Sequence, residues 1–325
     1  MRLGSRPARV PVSRDPVRSD RDVPQPEQNL PDLPREPLIF RHRTGVWEWP
    51  GPARVVGILN LTPDSFSDGG LHATPAAALE CAEAMAAEGA DAIDVGGQST
   101  RPGAEPLSAE EEWARLGPSL GSLVKRIPLP FSIDTYHASV ARRALEAGAS
   151  MVNDVTGLGM DPALAEAAAS AGAGLVLMHS LGAPDRIHAP RDYTDVAQEV
   201  LAFLEGRMGL AESRGVPRER IALDPGVGFS KKADQSLEAL RGIPRLAALG
   251  RPVYVGLSRK SFLGAVTGEP VESRLAAGLG ATVAAYALGA RIFRTHDVRE
   301  TVEALRLAEG LLNPAPAPVP EGARA

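Results

Sequence analysis

Eight short apolar runs recur along this chain, and each breaks into polar, Gly- or Pro-marked residues before a stretch of helical spacing begins. The first, Val55 to Leu59, opens into Asn60-Leu61-Thr62-Pro63-Asp64-Ser65-Phe66-Ser67-Asp68-Gly69-Gly70. Ala92 to Asp94 leads to Gly96-Gly97-Gln98-Ser99-Thr100-Arg101-Pro102-Gly103, Phe131 to Ile133 leads to Asp134-Thr135, and Met151-Val152 leads to Asn153-Asp154. Gly174 to Leu177 ends in Met178-His179, and Ile221 to Leu223 ends in Asp224-Pro225-Gly226-Val227-Gly228-Phe229. Val253 to Leu257 gives way to Ser258-Arg259-Lys260-Ser261, and Arg291 to Phe293 gives way to Arg294-Thr295-His296. Apolar runs of this length, bounded by turn-forming residues, read as buried strands.

Eight strand-then-helix units over about 260 residues match an α/β fold of the (β/α)8 type, a single TIM barrel whose working residues sit on loops at the carboxyl ends of the strands. On that reading all eight polar clusters are neighbours in space. Residues 38–313 are assigned to the barrel, with Ile39 to Trp49 predicted as a short hairpin over its lower mouth. The first 37 residues hold eight Pro and seven Arg with few large apolar groups. Such a segment cannot bury enough surface to offset chain entropy, so residues 1–37 are expected to form a disordered extension, and 314–325 a loose tail. Asp15, Asp20, Asp22 and Glu27 interrupt its basic charge, which argues against a targeting role.

Composition narrows the picture. A chain of 325 residues, 44% of them apolar, can bury one large core. Its single Cys81, in an Ala-rich helical stretch, permits no disulfide framework and reads as a small core residue. No apolar run approaches the roughly 20 residues that span a bilayer, and no signal core opens the chain, so a cytoplasmic protein is expected. The net charge of −5 gives no general attraction for nucleic acid. Lys125, Lys231, Lys232 and Lys260 are the only lysines against 31 arginines; three of the four fall in two strand-end loops. Lysine and arginine are not interchangeable, so Lys260 reads as a chosen residue.

The loops resemble those of the dihydropteroate synthases, folate-pathway enzymes that join a pterin to p-aminobenzoate. The resemblance is carried by the Asn60 loop, Asp94 through Gly103, Ser132-Ile133-Asp134-Thr135, Val152-Asn153-Asp154, Leu223 through Phe229, Gly256 through Ser261, and Arg294-Thr295-His296-Asp297-Val298. It covers roughly residues 54 to 312 in the family's order, and several motifs in register are specific where one is weak.

What the resemblance implies is chemically coherent. A pterin ring presents donors and acceptors that need buried carboxylates and an amide to pair with them; Asp134, Asn153 and Asp224 supply that set, Lys260 donates to the ring carbonyl, and Asp94 and Met178 complete the pterin contacts. Arg294 and His296 are implied to bind the departing diphosphate, with Asn60 as the protein's ligand for Mg²⁺, an ion that otherwise keeps waters and takes phosphate oxygens. Asp94, Asp134, Lys260, Arg294 and His296 form the expected catalytic group, fixed charges placed where charge develops. Thr100, Arg101, Pro102, Phe229 and Ser261 match positions around p-aminobenzoate, and Phe66 with Pro63 would close over it. The family commonly pairs subunits through late helices such as Val271 to Leu288, so a homodimer with small-molecule substrates, and neither nucleic acid nor membrane, is expected.

Some positions depart from the family pattern. Gln98 stands for the usual Glu, His179-Ser180-Leu181-Gly182 follows Met178 in place of His-Met-Gln-Gly, and Lys232 with Gln235-Ser236 replaces Thr with His-Asn. His179 is expected to be structural, bonding backbone near the fifth strand. Two other classes stay open on these residues. A pterin-binding methyltransferase would not need Arg294 and His296, and a non-catalytic paralogue would bind the ring without turnover.

Overall fold

The computed structural model describes residues 37–62, 74–98, 105–182 and 184–312. The extension and tail expected at the termini fall outside this range, as do Pro63, Phe66, Thr100, Arg101 and Pro102.

The alternation read from the sequence is the architecture. An antiparallel hairpin, β1 (Leu38–His42) and β2 (Gly45–Trp49), precedes β3 (Arg54–Asn60), α1 (Pro75–Ala87), β4 (Ala92–Gly96), α2 (Ala109–Arg126), β5 (Phe131–Asp134), α3 (Ala138–Glu146), β6 (Met151–Asp154), α4 (Ala163–Ala171) and β7 (Gly174–Met178). There follow α5 (Val196–Ser213), β8 (Ile221–Asp224), α6 (Ala233–Arg241), α7 (Ile243–Ala247), β9 (Val253–Gly256), α8 (Ser261–Thr267), α9 (Leu275–Ala287), β10 (Ala290–Thr295) and α10 (Val298–Leu312). Strands β3 to β10 close into one barrel in sequence order, with β10 pairing parallel to both β9 and β3. Every barrel strand is covered on both faces, which explains why each reads as a continuous apolar run without alternation.

Local signals start the helices where the loops end. Thr74 caps α1, its hydroxyl accepting from the Ala77 amide at 3.2 Å, with Pro75 in the first turn. Ser108 and Glu111 form a reciprocal capping box at the start of α2. The outward strand residues and the helix faces make the main core, with Ile93, Val95, Ile133, Leu175 and Leu177 fully buried.

The inward residues form a second, smaller core. Val56, Ala92, Met151, Val176, Ala222, Tyr254 and Ile292 pack from the barrel's interior against Phe40, Trp47 and Trp49 of the hairpin. The seat is close: a Cβ added at Gly174, where β7 begins, would stand 2.7 Å from the Phe40 ring. The expected hairpin therefore exists and stoppers the amino-terminal end of the barrel. No helix among the described residues is long and apolar enough to cross a membrane.

Candidate active site

Parallel registry brings the polar strand ends to one level. Gly96 pairs with Asp134, Asp134 with Asn153, and Met178 with Asp224, while Arg294 aligns with Gly256 and Val56. Since adjacent residues of parallel strands point the same way, these side chains share the interior above the apolar plug. Asp134, Asn153, Met178, Asp224 and Arg294 all belong to the strands themselves, so their orientation is fixed by the sheet.

Arg294 is the hub. Its Nε donates to Asp94 Oδ2 at 2.6 Å and its Nη2 to Asp134 Oδ2 at 2.9 Å. Asn153 Nδ2 donates to the same Asp94 oxygen at 3.0 Å. Asp94 is fully buried and acts as the anchor that orients an arginine and an amide. Burial drives the Asp134 carboxyl upward against the pull of Arg294, with negative Asp94 and Asp154 adding to the rise. Arg294 stays charged, because its two carboxylates outweigh the cost of burial. Neither Asp134 nor Asn153 caps a helix; bracing of the β6 turn falls to Asp154, which accepts from Thr156 and Leu158.

Asp224 and Lys260 form the opposite wall. Asp224 Oδ1 accepts from the Gly226 amide at 2.7 Å, and burial raises its pKa while Lys260 lowers it. Lys260 donates to the Val227 carbonyl, and its Nζ lies 4.6 Å from the centre of the Phe229 ring. Burial lowers its pKa to about 8, so the ammonium is held in a poorly solvated place. Met178 and Phe229 join Tyr136, Val155 and Ile187 in a small apolar cluster beside these charges. The result is two groups of charged side chains with an apolar cluster beside them.

The remaining expected residues line the rim. His296 Nδ1 lies 3.1 Å from Ser258 Oγ, Ser258 Oγ donates to Asp297 Oδ2 at 3.1 Å, and Ser261 opens α8. Asn60 ends β3 half-buried, with its Oδ1 facing Gly96. Among the described residues no cluster of three or more His, Cys, Asp or Glu could hold an ion. One amide oxygen at the mouth suits a hard divalent cation that brings most of its ligands with it.

Several groups carry more than the sequence suggested. Glu112 of α2 is buried and accepts from Thr135 Oγ1 at 2.9 Å; burial pushes its pKa up to about 8. Gln98 Oε1 accepts from Tyr136 Oη at 3.0 Å, so the amide that replaces the family's Glu still has a donor to meet. His179 is buried, and its ring nitrogen meets the Lys231 head group at 2.8 Å where a backbone partner was expected. Inside the barrel, Asp94 Oδ1, Ser132 Oγ and Tyr254 Oη have no hydrogen-bond partner among the described residues. A period-two reading of β5 and β9 would have turned Ser132 and Tyr254 inward.

Comparison with known proteins gives a consistent pattern. The model of the pterin binding enzyme family matches residues 56–296. Dihydropteroate synthase of Synechocystis sp. is 44% identical over 267 residues, covering 82% of this chain and 92% of that protein. The solved Xanthomonas albilineans dihydropteroate synthase with 4-aminobenzoic acid superposes with a TM-score of 0.80 at 40% identity, covering 86% of this chain and 100% of that one. Dihydropteroate synthase of Yersinia pestis in a sulfonamide drug complex gives 0.79 at 36% identity, with 84% and 99% covered.

Proposed function

The chain belongs to the pterin-binding enzyme family, whose matched relatives are dihydropteroate synthases, and from that we propose that it condenses 6-hydroxymethyl-7,8-dihydropterin diphosphate with p-aminobenzoate. The observation that carries the reading is the convergence of Asp134, Asn153, Asp224, Lys260 and Arg294 on one end of a closed barrel. A generic phosphate-binding barrel would explain Arg294 and leave the carboxylates and the amide without a task.

In the reaction, the aniline nitrogen attacks the pterin's methylene carbon. A C–N bond forms as the C–O bond to diphosphate breaks, the electron pair leaves with the diphosphate, and the nitrogen then loses a proton to solvent. Asp224 and Asn153 take the polar edge of the ring, Lys260 its carbonyl, and Met178 one face. Asp134 and Asp94 stabilise the electron-poor carbon, while Arg294 and His296 receive the growing charge on the leaving group. Phe229 and Ser261 hold the aminobenzoate nearer the rim, together with Thr100, Arg101 and Pro102 and with Phe66. Mg²⁺, when bound, would be held by Asn60 and the diphosphate and would neutralise the leaving group. Subunit pairing through the α9 face, where Leu275 is exposed, is part of the same reading.

Purified protein given the pterin diphosphate, p-aminobenzoate and Mg²⁺ should release diphosphate only when the aniline is present. Pterin binding by calorimetry without that release would point to the non-catalytic alternative, and folate-dependent methyl transfer to the other.

A further inference from the structure

The turn after β8 is strained and unusually well held. Gly226, Gly228 and Ser230 have φ values of +65°, +79° and +53°, and for Ser230, which has a Cβ, a left-handed conformation persists only where the surroundings enforce it. Four successive carbonyls of this turn each accept from a basic side chain. Lys231 Nζ donates to Gly226 O at 3.0 Å and Phe229 O at 3.2 Å, Lys260 donates to Val227 O, and His188 Nδ1 meets Gly228 O at 3.2 Å. Lys231 Nζ also lies 2.8 Å from His179 Nδ1, so the lysine head has three polar neighbours. That lysine is 6% exposed. Phe229, which the turn carries, lies between the Lys260 ammonium at 4.6 Å and the stacked His188 ring at 4.7 Å.

We propose that Lys231 is a positioning residue for the second substrate: through the Gly226 and Phe229 carbonyls its ammonium fixes the strained turn that presents the Phe229 ring to the aminobenzoate. The proposal rests on the functional reading above. It assigns Lys231 no contact with either substrate. The groups facing it act on its charge in both directions. Asp224 favours the ammonium and Lys260 opposes it, the Tyr193 ring lies 6.0 Å away, and burial and nearby Lys231 keep His179 neutral, its pKa lowered to about 3. Burial is the largest influence on Lys231 and lowers its pKa to about 7; the neutral amine would still donate to both carbonyls while accepting from the Nδ1–H tautomer of His179.

The test compares K231M and K231R with the wild type. Loss of charge-assisted bonds to the turn should raise KM for p-aminobenzoate about tenfold or more, while the dissociation constant for the pterin diphosphate alone changes less than about threefold. K231R keeps the charge for folding but cannot aim three donors from one point, and the same split in KM is expected of it. Nitrogen NMR of His179 supplies a readout independent of turnover: neutral between about pH 5 and 7 in the wild type, with its pKa moving upward in K231M once the nearby ammonium is gone, though burial still holds it below the ordinary value. Equal changes in both constants, or K231R indistinguishable from wild type in both, would overturn the proposal. If the wild type releases no diphosphate, the functional reading fails by itself, while the NMR comparison and calorimetric p-aminobenzoate binding still judge the role of Lys231.

Discussion

Arg294 Nε donates to Asp94 Oδ2 at 2.6 Å inside the barrel, linking the two strands that flank β3 on either side. The pair is almost dry, with the arginine side chain 19% exposed and the aspartate 0%. Its stability role and its functional role are therefore inseparable. R294A leaves Asp94 and Asp134 as uncompensated neighbours and is expected to cost about 3–5 kcal/mol in chemical denaturation. The loss should shrink toward acid pH, where the Asp134 carboxyl, already raised by burial, protonates. A uniform loss across pH would mean that packing, and not charge, is what Arg294 supplies.

Glu112 gives a signed pH dependence. Its carboxyl titrates at about 8 in the folded protein against an ordinary value of 4.5, so the native state binds the extra proton between those limits. The contribution of Glu112 is full below pH 4.5 and fades as the pH rises to about 8. E112Q retains an acceptor for Thr135 and should flatten that slope, making the variant the more stable protein near pH 8. Denaturation midpoints at pH 6 and pH 8.5 measure it, and parallel curves would count against a buried neutral Glu112.

Gly226 tolerates no side chain. A Cβ there would stand 1.9 Å from the His179 carbonyl oxygen, at a φ of +65°. G226A should cost more than the usual overpacking range of about 1–3 kcal/mol and lower the melting temperature accordingly. A near-normal melting point would show that the turn can relax.

Lys260 and the second subsite make a paired prediction. K260A should weaken pterin binding by roughly 3–5 kcal/mol at most, the scale for truncating one member of a buried charge pair, as read by calorimetry. Sulfonamides, which mimic p-aminobenzoate, should compete with it and leave pterin affinity unchanged, as the sulfonamide complex of the Yersinia pestis relative makes reasonable. Noncompetitive kinetics would misplace the aminobenzoate subsite.

The barrel and its charged mouth were legible because both depend on short-range pattern. A strand buried on two faces writes itself as an unbroken apolar run, and a charge at or next to its last position stands out against that run, as Asp134, Asp224 and Arg294 do. Partnerships across the chain were not legible. Lys231 and His179 are 52 positions apart, and nothing in either local pattern names the other. Glu112 sits in a run of three glutamates that reads as a solvated helix face, yet the turn of α2 buries only that one deeply. Tyr254 and Ser132 were hidden by the same continuity of apolar sequence that revealed their strands.

Phe40, Trp47 and Trp49 shut one end of the barrel against Val56, Tyr254 and Ile292. Traffic must then use a single door. On the proposed placement of the two substrates, whatever lies deepest has to come in first, so the heterocycle would precede the benzoate that covers it, and the joined product would leave by the same end.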